Sequence, residues 1–181
     1  MRRLDLDTLN EGIPVISVAV GSFLAEAAKV CLVAQGHQPG VKLKVEGDFT
    51  AEFEIHWSGE PDEIIRRSWT DLRDAAEFGA VAIAILAMFE LTKYNFAERV
   101  TQGFGFDYWL AFFERDEWKY AETKKDAKLE VSGILKSSQH NTLSMRVYKK
   151  SQQILTSQAQ GEKLFVAVVE FGTPVIKIIK P

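Results

Sequence analysis

Alternating apolar and polar residues predict a β-hairpin in the first third of the chain. Residues 41–46 alternate between aliphatic and charged side chains, and the alternation resumes over residues 49–57 after Gly47. Because successive side chains of a strand point to opposite faces, each segment has one apolar and one polar face. The pattern indicates two antiparallel strands joined by a Gly-Asp turn.

Apolar residues at spacings of three and four predict helices over residues 17–35 and 70–91. Gly36 is a natural end for the first helix. The second helix is apolar nearly all round its axis from Phe78 onward, which is typical of a buried central helix.

Two other N-terminal segments have a weaker pattern. A short helix is expected after Pro61, because proline is favoured in the first helical turn, and it either continues into the 70–91 helix or breaks near Ser68. Residues 1–14 have no sustained periodicity, so we expect an irregular lead-in there.

The second half of the chain alternates strands and helices. Strands are predicted over residues 95–101, 106–113 and 127–135. A helix from Asn141 to about Ser157, an apolar strand over 164–171 and a short edge strand over 175–179 follow. This order predicts an α/β fold, a mixed β-sheet flanked by helices. An N-terminal elaboration (residues 1–60) joins a core (residues 61–181) in one compact domain.

Two acids stand out in these strands. Asp107 lies among apolar residues, where an unpaired carboxylate costs several kcal/mol. Glu130 shares a strand face with Lys128 and Ser132. If the two strands are neighbours in register, Asp107 and Glu130 converge on one point. Alternatively, Asp107 accepts backbone hydrogens in a turn, and Glu130 pairs with Lys128 or Arg99 across the sheet.

Three further acids lie near the start of the 70–91 helix. Asp71, Asp74 and Glu77 are three residues apart, so they share one helix face. They are either part of a polar site or acids that the helix dipole favours at this position.

The order helix, strand, strand, strand, helix, strand from Thr70 onward resembles the PD-(D/E)XK nuclease-like superfamily, whose core is the restriction-endonuclease-like fold. In that superfamily an Asp and an (Asp/Glu)-x-Lys pair bind one or two magnesium ions, often with an acid from the first helix. The resemblance implies that Asp107 and Glu130 bind Mg²⁺ or Mn²⁺ and take part in catalysis. It implies Glu77 as the helical metal ligand, with Asp74 a weaker candidate.

This chain departs from the superfamily pattern at one position, because Ser132 stands where the lysine is expected. A hydroxyl supplies no positive charge to the scissile phosphate. We therefore expect another lysine to act in catalysis, either Lys128 from the same strand face or Lys149 or Lys150 from the following helix.

Composition narrows the classes of function. The formal net charge of −3 argues against a strongly basic protein that binds nucleic acid without sequence preference. A lone cysteine and the absence of a secretory signal suit a cytoplasmic protein. The longest apolar run, residues 78–89, is shorter than the roughly 20 residues that span a bilayer.

Two functions follow as hypotheses. The first is a magnesium-dependent nuclease-like protein acting on nucleic acid, with Trp109, Trp118 and Tyr120 as candidates for base stacking. The second is an inactive interaction subunit of a defence or repair assembly, which keeps the fold and binds a protein partner or a second copy of itself. Ser132 and the acidic composition favour the second hypothesis, and the carboxylate of Asp107 in an apolar strand favours the first.

Overall fold

Eight β-strands and four α-helices make up the part of the chain that the computed structural model describes, residues 2–101, 105–114, 125–156 and 163–181. The strands are β1 (Arg2–Asp5), β2 (Val41–Gly47), β3 (Ala51–His56), β4 (Phe96–Arg99), β5 (Tyr108–Ala111), β6 (Ala127–Ile134), β7 (Lys163–Glu170) and β8 (Val175–Ile179). The helices are α1 (Val18–Ala34), α2 (Glu63–Ser68), α3 (Leu72–Leu91) and α4 (Leu143–Thr156), and a 3-10 helix spans Leu6–Glu11.

The strands form one mixed sheet in the order β1-β3-β2-β8-β7-β6-β5-β4. Helices α1 and α3 pack on one face, in a core that includes Leu129 and Val131 of β6. Helix α4 packs on the other face, with Val166 and Val168 of β7. The predicted α/β class, a mixed sheet flanked by helices, is confirmed.

The strongest sequence patterns correspond to the observed elements. Strands β2 and β3 pair antiparallel as predicted, with Leu43 opposite Phe53 on the buried face. The Ser17 hydroxyl caps the start of α1 by accepting a hydrogen bond from the backbone N–H of Val20. Gly36, just after the helix, has a φ of 82°, a conformation that favours glycine.

The helical region after Pro61 breaks near Ser68, as one of the two interpretations predicts. Asp62 caps α2 by accepting a hydrogen bond from the Ile65 N–H, and Asp71 caps α3 in the same way from Arg73. A second capped helix start therefore separates the short helix from the central one.

The order of elements predicted from Thr70 onward is present as α3-β4-β5-β6-α4-β7. Strands β4, β5 and β6 form an antiparallel meander, and α4 then crosses over so that β7 runs parallel to β6. The start of α4 differs slightly from the prediction, because Thr142 rather than Asn141 accepts a hydrogen bond from the Met145 N–H.

The prediction that residues 175–179 form an edge strand is wrong. Strand β8 has the predicted bounds, but it lies inside the sheet, antiparallel to β7 and parallel to β2. Its partner β2 is more than a hundred residues away in sequence, so no local pattern reveals the pairing.

The prediction of an irregular lead-in is also wrong. Strand β1 pairs parallel with β3 at the sheet edge, and the 3-10 helix that follows buries Leu6 and Leu9. Residues 1–60 and 61–181 therefore share one sheet and one principal hydrophobic core.

Helix α3 lies so close to β6 that only glycine fits at Gly133. A methyl group there would overlap the Ala76 carbonyl oxygen, which belongs to the helix backbone. We expect Gly133→Ala to lower the free energy of unfolding by about 3 kcal/mol, because backbone must move to make room. Urea denaturation measures this change. Lys42→Ala on the exposed face of β2 is the control and should change stability by less than about 0.5 kcal/mol; a similarly small loss for Gly133→Ala would contradict the close packing.

Candidate functional site

Asp107 and Glu130 lie near each other where the pairing between β5 and β6 ends. Tyr108 pairs with Leu129 in an antiparallel register, and the Asp107 N–H donates to the carbonyl oxygen of the same Leu129. The Asp107 carboxylate lies close enough to Glu130 for its negative charge to act on the Glu130 carboxyl group. Asp107 itself lies one residue before β5 rather than within it. The two strands are neighbours, as the sequence analysis assumed, and the two acids lie close enough to interact.

Asp107 also satisfies a backbone group of β6. Its Oδ2 accepts a hydrogen bond of 2.8 Å from the Val131 N–H, and Glu77 Oε2 accepts one of 2.8 Å from the Gly133 N–H. In the described residues, β5 pairs with β6 only as far as Leu129, so we call residues 130–134 the open edge of β6. Two carboxylates thus take the place of a neighbouring strand along this edge.

Helix α4 supplies a lysine to Glu130. Lys150 Nζ lies 2.5 Å from Glu130 Oε1, and Gln153 Nε2 donates to the same oxygen at 2.9 Å. Lys149, the other candidate from this helix, is exposed. Of the two helix lysines expected to compensate for Ser132, Lys150 is the one that reaches the acids.

Lys128 has different surroundings. It is buried, and its Nζ lies 4.8 Å from the Phe106 ring centroid and 5.2 Å from that of Trp109, in cation–π geometry. Lys125 Nζ lies 4.9 Å from the Trp109 centroid as well. Trp109 therefore contacts cations of its own chain, and the other predicted stacking residues, Trp118 and Tyr120, lie outside the described residues.

Glu77 belongs to a network beside the two converging acids. The Ser132 hydroxyl donates to Glu77 Oε2 at 3.1 Å, and Arg146 Nη1 donates to Glu77 Oε1 at 3.0 Å. Arg146 also donates to the Ser132 hydroxyl at 2.9 Å. A guanidinium from α4 thus brings positive charge next to the position where the superfamily pattern has lysine. Asp71 caps α3, and Asp74 is exposed.

Burial of Glu130 raises the pKa of its carboxyl group to about 7, and the negative charge of Asp107 adds to this effect. Lys150 acts in the opposite direction. Glu130 Oε2 is buried without a hydrogen-bond donor. A proton on Glu130 would provide a hydrogen bond to Asp107, and a cation between the two groups would also satisfy this oxygen.

A cavity of about 440 Å³ opens beside these residues. One side is charged and includes Glu77, Arg99, Asp107 and Lys150. The apolar side comes from α1 and α3; its side chains are Ala19, Val20, Phe23, Leu24, Phe78 and Val81. Charged groups and apolar surface thus meet in one cleft, the usual composition of a ligand site.

The sequence analysis did not include Arg146 or Gln153 in the site. Both share a face of α4 with Lys150, since they lie four residues before it and three after it. Once Lys150 was a candidate, this helical spacing could have identified Arg146 and Gln153 as neighbours of the same site.

Two carboxylates, rather than three, define the candidate metal site. Within the described ranges, no group of three or more His, Cys, Asp or Glu side chains is arranged to hold a metal ion. Magnesium commonly binds through one or two carboxylates and keeps several waters, so Asp107 and Glu130 are the candidate ligands that this part of the chain offers.

The chain matches no protein-family model, no curated protein and no solved structure. Of the helices in the described segments, none has the length and apolar character to cross a bilayer.

The raised pKa of Glu130 predicts a pH-dependent stability. The carboxyl group loses its proton near pH 4.5 in the unfolded chain and near 7 in the folded protein, so the folded state binds more protons between these values. Its contribution to stability therefore falls as pH rises through this window, by about 2 kcal/mol. In Glu130→Gln this part of the loss should be absent, as measured by urea denaturation at several pH values.

Glu63→Gln, at an exposed position on α2, is the matched control and should keep the wild-type pH profile. The same pH dependence in wild type and Glu130→Gln would contradict the assigned pKa.

Proposed function

We propose that this protein is a metal-dependent nuclease-like enzyme that uses Asp107 and Glu130 to bind Mg²⁺ or Mn²⁺ and hydrolyses phosphodiesters in nucleic acid. The observation that carries this proposal is the convergence of the two carboxylates beside Lys150. The resemblance of the element order to the PD-(D/E)XK superfamily supports the same conclusion. The buried free thiol of Cys31 is in keeping with a cytoplasmic location.

The donor set suits a hard divalent cation. Asp107 and Glu130 supply carboxylate oxygens, and one of these, Glu130 Oε2, has no hydrogen-bond donor. The Val131 N–H points to Asp107, and the C=O of a strand residue points to the same side as its N–H, so the Val131 carbonyl is a further candidate ligand. Glu77 is already engaged by Ser132, Gly133 and Arg146, so we assign it to positioning the open edge rather than to the metal.

A bound ion would lower the pKa of a coordinated water and neutralise charge that develops on the phosphate. Lys150 supplies the positive charge that Ser132 lacks, close enough to Glu130 to orient it and to approach an anionic substrate. Arg146 adds a second cation on the same helix face, held by Glu77 and Ser132. The site thus has acids for a metal and cations for a phosphate.

Metal binding tests the role of Asp107. An ion that binds only the folded protein adds about 2.7 kcal/mol at a hundredfold excess over Kd, which raises Tm by roughly 5–10 °C for a chain of this size. We expect MgCl₂ or MnCl₂ to produce such a shift in the wild type, and Asp107→Asn to remove most of it. The asparagine oxygen can still accept the Val131 hydrogen bond, so the fold should persist.

Asp74→Asn removes an exposed acid from α3 and is the matched control, since it should leave the shift intact. An equal metal-induced shift in both variants would show that the ion binds elsewhere.

Three lysine variants distinguish the candidate catalytic lysines. We expect Lys150→Ala to reduce hydrolysis of a labelled oligonucleotide by about 100-fold or more, because it removes the cation beside Glu130. Lys149→Ala is the neighbouring control and should retain activity. Lys128→Ala tests the other candidate. If this variant folds but loses activity while Lys150→Ala remains active, Lys128 rather than Lys150 is the catalytic lysine.

The second candidate function is an interaction subunit without catalysis, part of a defence or repair assembly. The observation that favours it is the internal neutralisation of the acids, since Lys150 and Gln153 hold Glu130 while Arg146 holds Glu77. Under this alternative, neither magnesium nor manganese raises Tm, and partner binding depends on surfaces outside the cleft.

A further inference from the structure

We propose that the cleft beside Asp107 accepts an unpaired nucleotide of single-stranded nucleic acid, with its base against the apolar side and its phosphate toward Arg99 and Lys150. This inference rests on the proposed function and names the class of substrate. It follows from the composition of the cavity, from the exposure of its apolar side and from its size.

The apolar side is accessible to a ligand. Val20 and Phe23 on α1 are 47% and 44% exposed, although most large apolar residues of this protein are buried. The Phe23 ring lies 4.9 Å from Phe78 on α3, in an edge-to-face arrangement, so the two helices present a joined aromatic and aliphatic surface. Exposed apolar surface next to charged residues is typical of a binding site.

The charged side suits a phosphate. Arg99 is exposed and lines the cavity, and across the described ranges no hydrogen bond or ion pair engages its guanidinium. Lys150 lines the same cavity and also contacts the buried Glu130. A phosphate group at this side would meet cations, while the base of the same nucleotide would meet Val20 and Phe23.

The size and the base chemistry favour an unpaired nucleotide over a duplex. The volume of about 440 Å³ falls in the range of small-molecule sites, about 300–1,000 Å³. In a duplex the faces of the bases are stacked on one another, and a base must leave the stack before its face can pack on protein side chains. Single strands expose these faces, and aromatic side chains bind them without strong sequence preference.

Two valines on the same helix provide a matched test. Val18 and Val20 are similarly exposed, at 55% and 47%, but only Val20 lines the cavity. Val20→Glu also places a glutamate three residues after the Ser17 cap, a combination that stabilises a helix start, so the variant should fold. We expect Val20→Glu to weaken binding of a labelled single strand of about 12 nucleotides by about tenfold or more, and Val18→Glu to leave it unchanged.

Fluorescence anisotropy in EDTA and again with MgCl₂ gives the affinities, with DNA and RNA versions of the strand as separate probes. The blunt duplex of the same sequence should bind the wild type at least about tenfold more weakly than the single strand. Phe23→Ala, which adds no charge, should also weaken single-strand binding. Thermal denaturation verifies that this variant is folded. Tyr148→Ala removes an exposed aromatic ring on α4, outside the cavity, and should not.

The metal-induced rise in Tm separates the two proposals. If manganese stabilises the wild type and Val20→Glu equally, and Val20→Glu still binds the single strand as well as Val18→Glu does, the substrate inference is wrong and the metal site stands. Duplex binding as tight as single-strand binding would overturn the inference in the same way. If manganese does not stabilise the wild type, the proposed function itself fails, and this inference fails with it.

Discussion

The end of pairing between β5 and β6 at Asp107 is the constraint on which the site depends. Beyond this point, and among the described residues, no strand pairs with the N–H groups of Val131 and Gly133 on that side. A buried backbone donor without an acceptor destabilises the fold. Two carboxylates serve as acceptors, that of Asp107 just before β5 and that of Glu77 on α3. Asp107 and Glu77 therefore lie at this edge because the backbone of β6 needs hydrogen-bond acceptors there.

The same strand also determines which side chains α4 must direct toward the sheet. Strand β6 is buried along its whole length, and its face toward α4 carries Lys128, Glu130 and Ser132. Polar groups in such a position need partners from the layer above them. Helix α4 supplies Arg146, Lys150 and Gln153 on one face, so the structural requirement and the proposed chemistry involve the same contacts.

On the opposite face, close packing sets the geometry of the cleft. Gly133 lets α3 approach β6, and Gly79 lets α1 approach α3, because a methyl group at either position would meet the backbone of the neighbouring helix. The first approach brings Glu77 to the open edge, and the second brings Val20 and Phe23 of α1 into the lining of the same cleft as Asp107. The N-terminal segment is therefore a wall of the cleft as well as part of the sheet.

Several features were readable from the sequence because they rest on local patterns. The alternation over residues 41–57 specified the β2–β3 hairpin, and the pattern from Thr70 onward specified the order of helices and strands. The tertiary structure alone decided that β8 lies between β7 and β2, that residues 2–5 add a parallel edge strand, and that Lys150 rather than Lys149 reaches Glu130. The physical reason is that periodicity records which face of an element is buried. The partner on that face is chosen by packing between segments that are far apart in the chain.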